Sequence, residues 1–162
     1  MIQQGLTNSF KQEMLQAGQN LATDTLKMAL YTAFADIGQL TTAYTTSNEV
    51  TGTGYTAGGV EVTGAVLNTQ TTGPAAGTVY VNFDNVSWPG ANFIARGALI
   101  YNTSQSNASV AVLDFGSDKT IVGDTFTIIV GQGGKNQSPT ESAAFTSATA
   151  RRNASFGGGA SG

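Results

Sequence analysis

The side chains of this sequence that could do chemistry are carboxylates, lysine, serine and tyrosine, because it contains no histidine and no cysteine. The commonest general base and the commonest metal ligand are therefore missing. Thiolate nucleophiles, thiolate zinc sites and disulfides are excluded with them. Asp114, Asp118 and Asp124 surround one late loop, LDFGSDKTIVGDTF, and could gather round a calcium ion together with backbone carbonyls. They lack the dense D-x-D-x-D-G spacing of a calcium loop, and solvated carboxylates near Lys119 are the competing reading. Glu49 and Glu61 are conceivable as a glycosidase pair, but the separation of two carboxyl groups decides that mechanism and a sequence does not fix it. The run GQGGK at 131–135 has the look of a phosphate loop, yet it lacks the earlier glycine, and Asn136 stands where Ser or Thr would meet magnesium. From these patterns we expect no catalytic, cofactor-binding or metal-binding residue, and no enzyme.

Two further residues stand out against their surroundings. Arg96 interrupts the apolar run FIARGALIY, and a buried arginine needs partners. An ion pair with one of the aspartates is the first expectation, an intersubunit contact the second and substrate binding the third. Trp88, beside Pro89, reads as a plug at the end of the core or, if exposed, as an interface anchor. Asn107, Asn136 and Asn153 match the glycosylation pattern but read more simply as turn-forming asparagines, since the N-terminus shows no basic start and apolar core of a signal peptide.

Elements that would position these residues follow from periodicity. Residues 7–18 predict one short helix, capped by Ser9 with Gln12 three positions on and ended by Gly18, with Phe10, Met14 and Leu15 on a shared face. That face covers one end of the body or meets a neighbouring subunit. TLKMALYT alternates as a first strand. Residues 32–59, rich in Thr, Ala and Gly, form a long connection, and such connections are usually functional, partly structured or held by a partner. Within it Asn48-Glu49-Val50 suggests a turn of helix. Strands are expected at 60–66 and over VYVNFDNV, with a turn at 69–77 around Gly73-Pro74. Trp88-Pro89-Gly90 breaks the run, and strands at 93–102, 109–115 and 125–130 follow. The fold class is all-β, an antiparallel two-sheet sandwich of jelly-roll or immunoglobulin-like type, with a short N-terminal helix and an extended C-terminal arm. We divide the chain into a helical segment 1–19, a body 20–130 and an arm 131–162.

Composition limits the partners. Charged residues are only 10% of the 162, with a net charge of −3, where about 25% is usual. A surface so poor in charge suits a protein whose neighbours hide much of it. Seven basic residues are too few and too scattered to neutralise phosphates, which argues against direct nucleic-acid contact. No apolar run approaches a membrane span. The arm has three basic residues, Lys135, Arg151 and Arg152, against Glu141, so it carries +2 and the body −5. Its few large apolar residues cannot bury enough surface to fold alone.

Several of these pieces together, TLKMALYT, NEVTGTGYTAGG at 48–59, the tryptophan of NVSWPGA, ARGALIYN, LDFG and GDTFTI, resemble small virion proteins of tailed phages, of the decoration, cement or head- and tail-fibre type. The resemblance covers most of 20–130 and contains no catalytic motif. It implies a noncatalytic structural protein located in the virion. As a capsid cement protein its partners would be the major capsid protein and copies of itself, with Phe145, Arg151, Arg152 and Phe156 running along neighbouring subunits. As a tail or fibre component its loops would face a host glycan or protein, with Tyr44, Tyr55 and Tyr101 stacking on sugars.

Overall fold

A computed structural model describes residues 1–73 and 76–130. The expected arm, including Lys135, Phe145, Arg151, Arg152 and Phe156, lies outside the described residues. The elements are β1 (Gly5–Leu6), α1 (Asn8–Leu15), β2 (Leu26–Tyr31), β3 (Val60–Val62), β4 (Val66–Gln70), β5 (Thr78–Asn82), β6 (Val86–Asn102) and β7 (Ala108–Ile128). The expected all-β architecture holds: every strand pairing is antiparallel, in one five-stranded sheet of order β1-β7-β6-β2-β3 and one two-stranded sheet, β4-β5. A single α-helix accompanies them among the described residues.

The spine is the β6–β7 hairpin, whose strands run 17 and 21 residues. It turns at 103–107, where Ser106 and Asn107 take left-handed backbone, as expected of a turn asparagine. Two expected interruptions prove to be bulges inside these strands. Between Trp88↔Phe126 and Ala91↔Asp124 one extra residue on β6 absorbs Pro89, which has no N–H to give the ladder. Between Gly97↔Asp114 and Ala95↔Lys119 β7 bows out over 115–118, so the two late strands expected at 109–115 and 125–130 are one.

Side chains alternate across this sheet, and both faces are buried. Leu26, Met28 and Leu30 of β2, with Ala98 and Ile100 of β6, join one core that also holds Phe10, Phe83, Trp88 and Phe93. Ala29, Tyr31, Leu99, Tyr101 and Val112 join a second core with Ile2, Ala35 and Ile37. The intervening residues Ala29 and Tyr31 of β2 are thus covered as well. Burying each large apolar side chain is worth roughly 1.5–3 kcal/mol, so both layers contribute. On the first face lie α1 and the β4–β5 hairpin. On the second lie the N-terminal residues and the earlier part of the connection 32–59, whose later residues Val50 and Tyr55 pack against the first core.

The helix is shorter than 7–18, and its cap is Thr7, whose Oγ1 accepts from the Phe10 amide at 3.3 Å. Thr7 is fully buried and its hydroxyl donates to the Ser109 carbonyl at 3.0 Å. Ser9, the expected cap, contacts the Ser109 hydroxyl and the Thr41 carbonyl. Ala17 takes the left-handed position, and the Gly18 amide returns to the Glu13 carbonyl at 2.7 Å. Only Phe10 of the expected apolar face is buried, while Met14 and Leu15 are exposed.

Candidate functional site

The densest group of ionisable side chains lies around Glu49, with Tyr31, Tyr44 and Tyr101 on the second face and Tyr55 packed against the first core. The connection 32–59 is laid along the sheet by four isolated bridges, Ile2↔Ile37, Ala43↔Ala108, Tyr31↔Glu49 and Thr53↔Asn92. A turn at 47–48 precedes Glu49, in place of the expected turn of helix. Glu49 thereby lands beside the end of β2 with only 9% of its surface exposed.

Its carboxylate accepts three hydrogen bonds. Tyr55 Oη and the Gly58 amide donate to Oε1, each at 2.6 Å, and Tyr44 Oη donates to Oε2 at 2.7 Å. Tyr55 Oη in turn accepts from the Leu30 amide at 2.9 Å, which ties the loop to β2. Tyr101 donates to the Gly58 carbonyl at 2.8 Å and its ring stacks on Tyr44, centroids 4.6 Å apart. Tyr31 donates to the Thr45 carbonyl at 2.5 Å. No basic side chain pairs with Glu49 among the described residues. Hydrogen bonds to a charged group are stronger than neutral ones, and here they replace the hydration that burial removes.

Gly59 permits this closure. Its φ is +73°, and a Cβ there would lie 1.8 Å from the Met28 carbonyl oxygen, so the chain approaches β2 more closely than any side chain allows. Burial pushes the hydroxyl pKa values of Tyr31, Tyr44, Tyr55 and Tyr101 up from the ordinary tyrosine value, and the negative charge of Glu49 adds to the rise in each. A tyrosinate next to that carboxylate would be a buried like-charge pair. The group therefore works as a proton-retaining staple, with every oxygen of the carboxylate engaged inside the protein.

The carboxylates conceivable as a glycosidase pair or a calcium site do not come together. Glu61 is exposed on β3 opposite Lys27, whereas Glu49 bridges Tyr31. Four residues of strand separate those positions, roughly 13 Å, beyond the spacing of either glycosidase geometry. Asp114 and Asp118 serve Arg96: its Nε lies 3.2 Å from Asp114 and its Nη1 3.8 Å from Asp118. Asp114 also accepts from the Gly116 amide at 2.9 Å. The expected ion pair is present and fastens the bulge at 115–118. Asp124 caps the neighbouring Thr125 amide at 2.7 Å. No group of three metal-ligating side chains converges among the described residues.

Trp88 is the expected core plug, 1% exposed, and its ring lies 5.8 Å from that of Phe126. Its indole N–H has no hydrogen-bond partner among the described residues. Periodicity missed a second polar centre. Buried Asn102 donates to Gln19 at 3.1 Å and to Asp24 at 2.7 Å, and accepts from the Ser104 amide at 2.9 Å. Hydrogen bonds from the Asn20 backbone and from Asn102 hold the Asp24 carboxyl below the usual carboxylate range. The only sequence signal of this centre was the asparagine ending a strand. The tyrosines expected to stack on sugars are occupied internally. No family model, curated protein or solved structure matches the chain.

Proposed function

We propose that this chain is a noncatalytic structural component of a phage virion, a capsid cement or decoration protein that binds across capsid subunits and stabilises the head. The observation that carries the reading is a surface poor in charge yet bearing large apolar side chains. Leu15, Phe34, Leu40 and Val122 are all more than 70% exposed, on a chain with only 10% charged residues. Exposed apolar groups on a weakly charged surface fit burial by neighbours. The internal engagement of Glu49, Asp114 and Asp118 supports it too, because those carboxylates hold the chain and leave little for a substrate. The partners in this reading are the major capsid protein and further copies of the chain, with Phe145, Arg151, Arg152 and Phe156 as candidate contacts.

A tail or fibre component is the alternative, and it has lost the tyrosines it would have offered to a glycan. Copy number separates the two. Band intensities from purified particles should place a cement protein at an abundance comparable to the major capsid protein. Scarcity would move the assignment to the tail or fibre, and absence from particles would end both.

A further inference from the structure

On the first face, α1 and the β4–β5 hairpin do not close over the sheet. Between them lies a cleft of about 240 Å³. Phe10 and Met14 of the helix and Leu67 and Val79 of the hairpin wall it, and Ile100 and Val110 form its floor. Met14, Leu67 and Val79 are each more than half exposed at its rim. An apolar cavity of about 150 Å³ accepts a benzene ring, so this one has room for a phenyl side chain and small neighbours.

We propose that the cleft is filled by this chain's own C-terminal segment, with Phe145 as the inserted side chain. Beyond Val130 the sequence has two large apolar residues, Phe145 and Phe156. Phe145 lies in SAAFTSATA, residues 142–150, which carries no charge and only small side chains beside the ring, so it enters an apolar site at little desolvation cost. Phe156 instead follows Arg151 and Arg152 and precedes a glycine run.

The tether favours the chain's own segment over a second copy. Val130 is buried in the same core as Phe83, which lines the cleft. Phe145 lies fifteen positions beyond Val130, and an extended chain of that length spans roughly 50 Å. A domain of this size has a radius of gyration near 14 Å, so the cleft is within reach. Covalent attachment through a short linker supplies an effective concentration in the millimolar range, well above that of other copies in a micromolar solution. The assignment does not rest on the virion reading; it withdraws Phe145 from the contacts proposed there and leaves Arg151, Arg152 and Phe156 available to a neighbour.

The absence of cysteine makes the test direct. The full chain is made with Leu67→Cys and Thr146→Cys, oxidised at low micromolar concentration and compared with a control pair, Val122→Cys and Thr146→Cys. Val122 pairs with Asn92, eight residues along β6 from Ile100, roughly 26 Å. The expected result is a monomeric cross-linked species forming about tenfold faster than in the control, in keeping with a local concentration gain. Adding Phe145→Ser should abolish that preference and raise the binding of an apolar dye, whereas Phe156→Ser should leave both unchanged. Covalent dimers would assign the cleft to a second copy and overturn the proposal. Equal rates in the two pairs, with an unaltered dye signal in Phe145→Ser, would overturn it by showing that Phe145 does not reach the site.

Discussion

The two faces of the central sheet are covered in opposite ways. On the second face a long connection with few regular hydrogen bonds is fixed by one carboxylate and the tyrosines around it. On the first, a regular helix and a regular hairpin leave an apolar cleft between them. Regular secondary structure satisfies its own backbone and needs neighbours only for burial, so its packing can stay incomplete. An irregular segment must place its polar groups individually, and once a buried acceptor organises them the arrangement has little slack. The less regular cover is the more tightly specified one.

The largest test of that contrast is Glu49→Ala. It strands the hydroxyls of Tyr44 and Tyr55 and the Gly58 amide, and we expect a loss of about 3–5 kcal/mol in chemical denaturation, the scale of breaking a buried charged network. A loss under about 1 kcal/mol would mean the tyrosines, not the carboxylate, hold the connection.

Raising the pH should act on the same face. The tyrosine pKa values there are raised by burial and by Glu49, so above about pH 10 the unfolded chain releases protons that the folded chain retains. Fewer bound protons in the unfolded state make stability fall as pH rises. The contribution is intact below the unfolded value and is lost as pH climbs toward the folded ones. Denaturation midpoints measured across that range should decline, and Tyr55→Phe should make the decline shallower. An unchanged slope in that variant would remove Tyr55 from the cause.

The smallest effect is expected on the opposite face. Leu15 of α1 is 90% exposed and lies outside the cleft lining, and Leu15→Ser should change stability by no more than about 0.5 kcal/mol. A larger loss would show that side of the helix to be covered in solution.

Much of this division was legible beforehand. The alternation of TLKMALYT located β2, and a lone arginine in an apolar strand announced its aspartate partners because an unpaired guanidinium is costly there. The continuity of β6 and β7 was hidden, since Pro89 and the glycine at 116 look like strand ends and a bulge absorbs each one. The Glu49 centre was hidden for another reason. Tyr44, Glu49 and Tyr55 are close in sequence but show no period, and they acquire meaning only when Tyr31 and Tyr101 arrive from strands of the sheet. The helix boundary was missed because Thr7, an equally good cap, is selected by Ser109, about a hundred residues away.

That last contact bears on how the molecule assembles. The β6–β7 hairpin closes through the short turn at 103–107 and can zip from there, its contacts being local in sequence. β1 must instead bridge more than a hundred residues to reach Ala111 and Val112, at a higher entropic cost of loop closure. During synthesis β1 must therefore wait for a strand not yet made, and it should be the last to lock into place and the first to exchange its amide hydrogens.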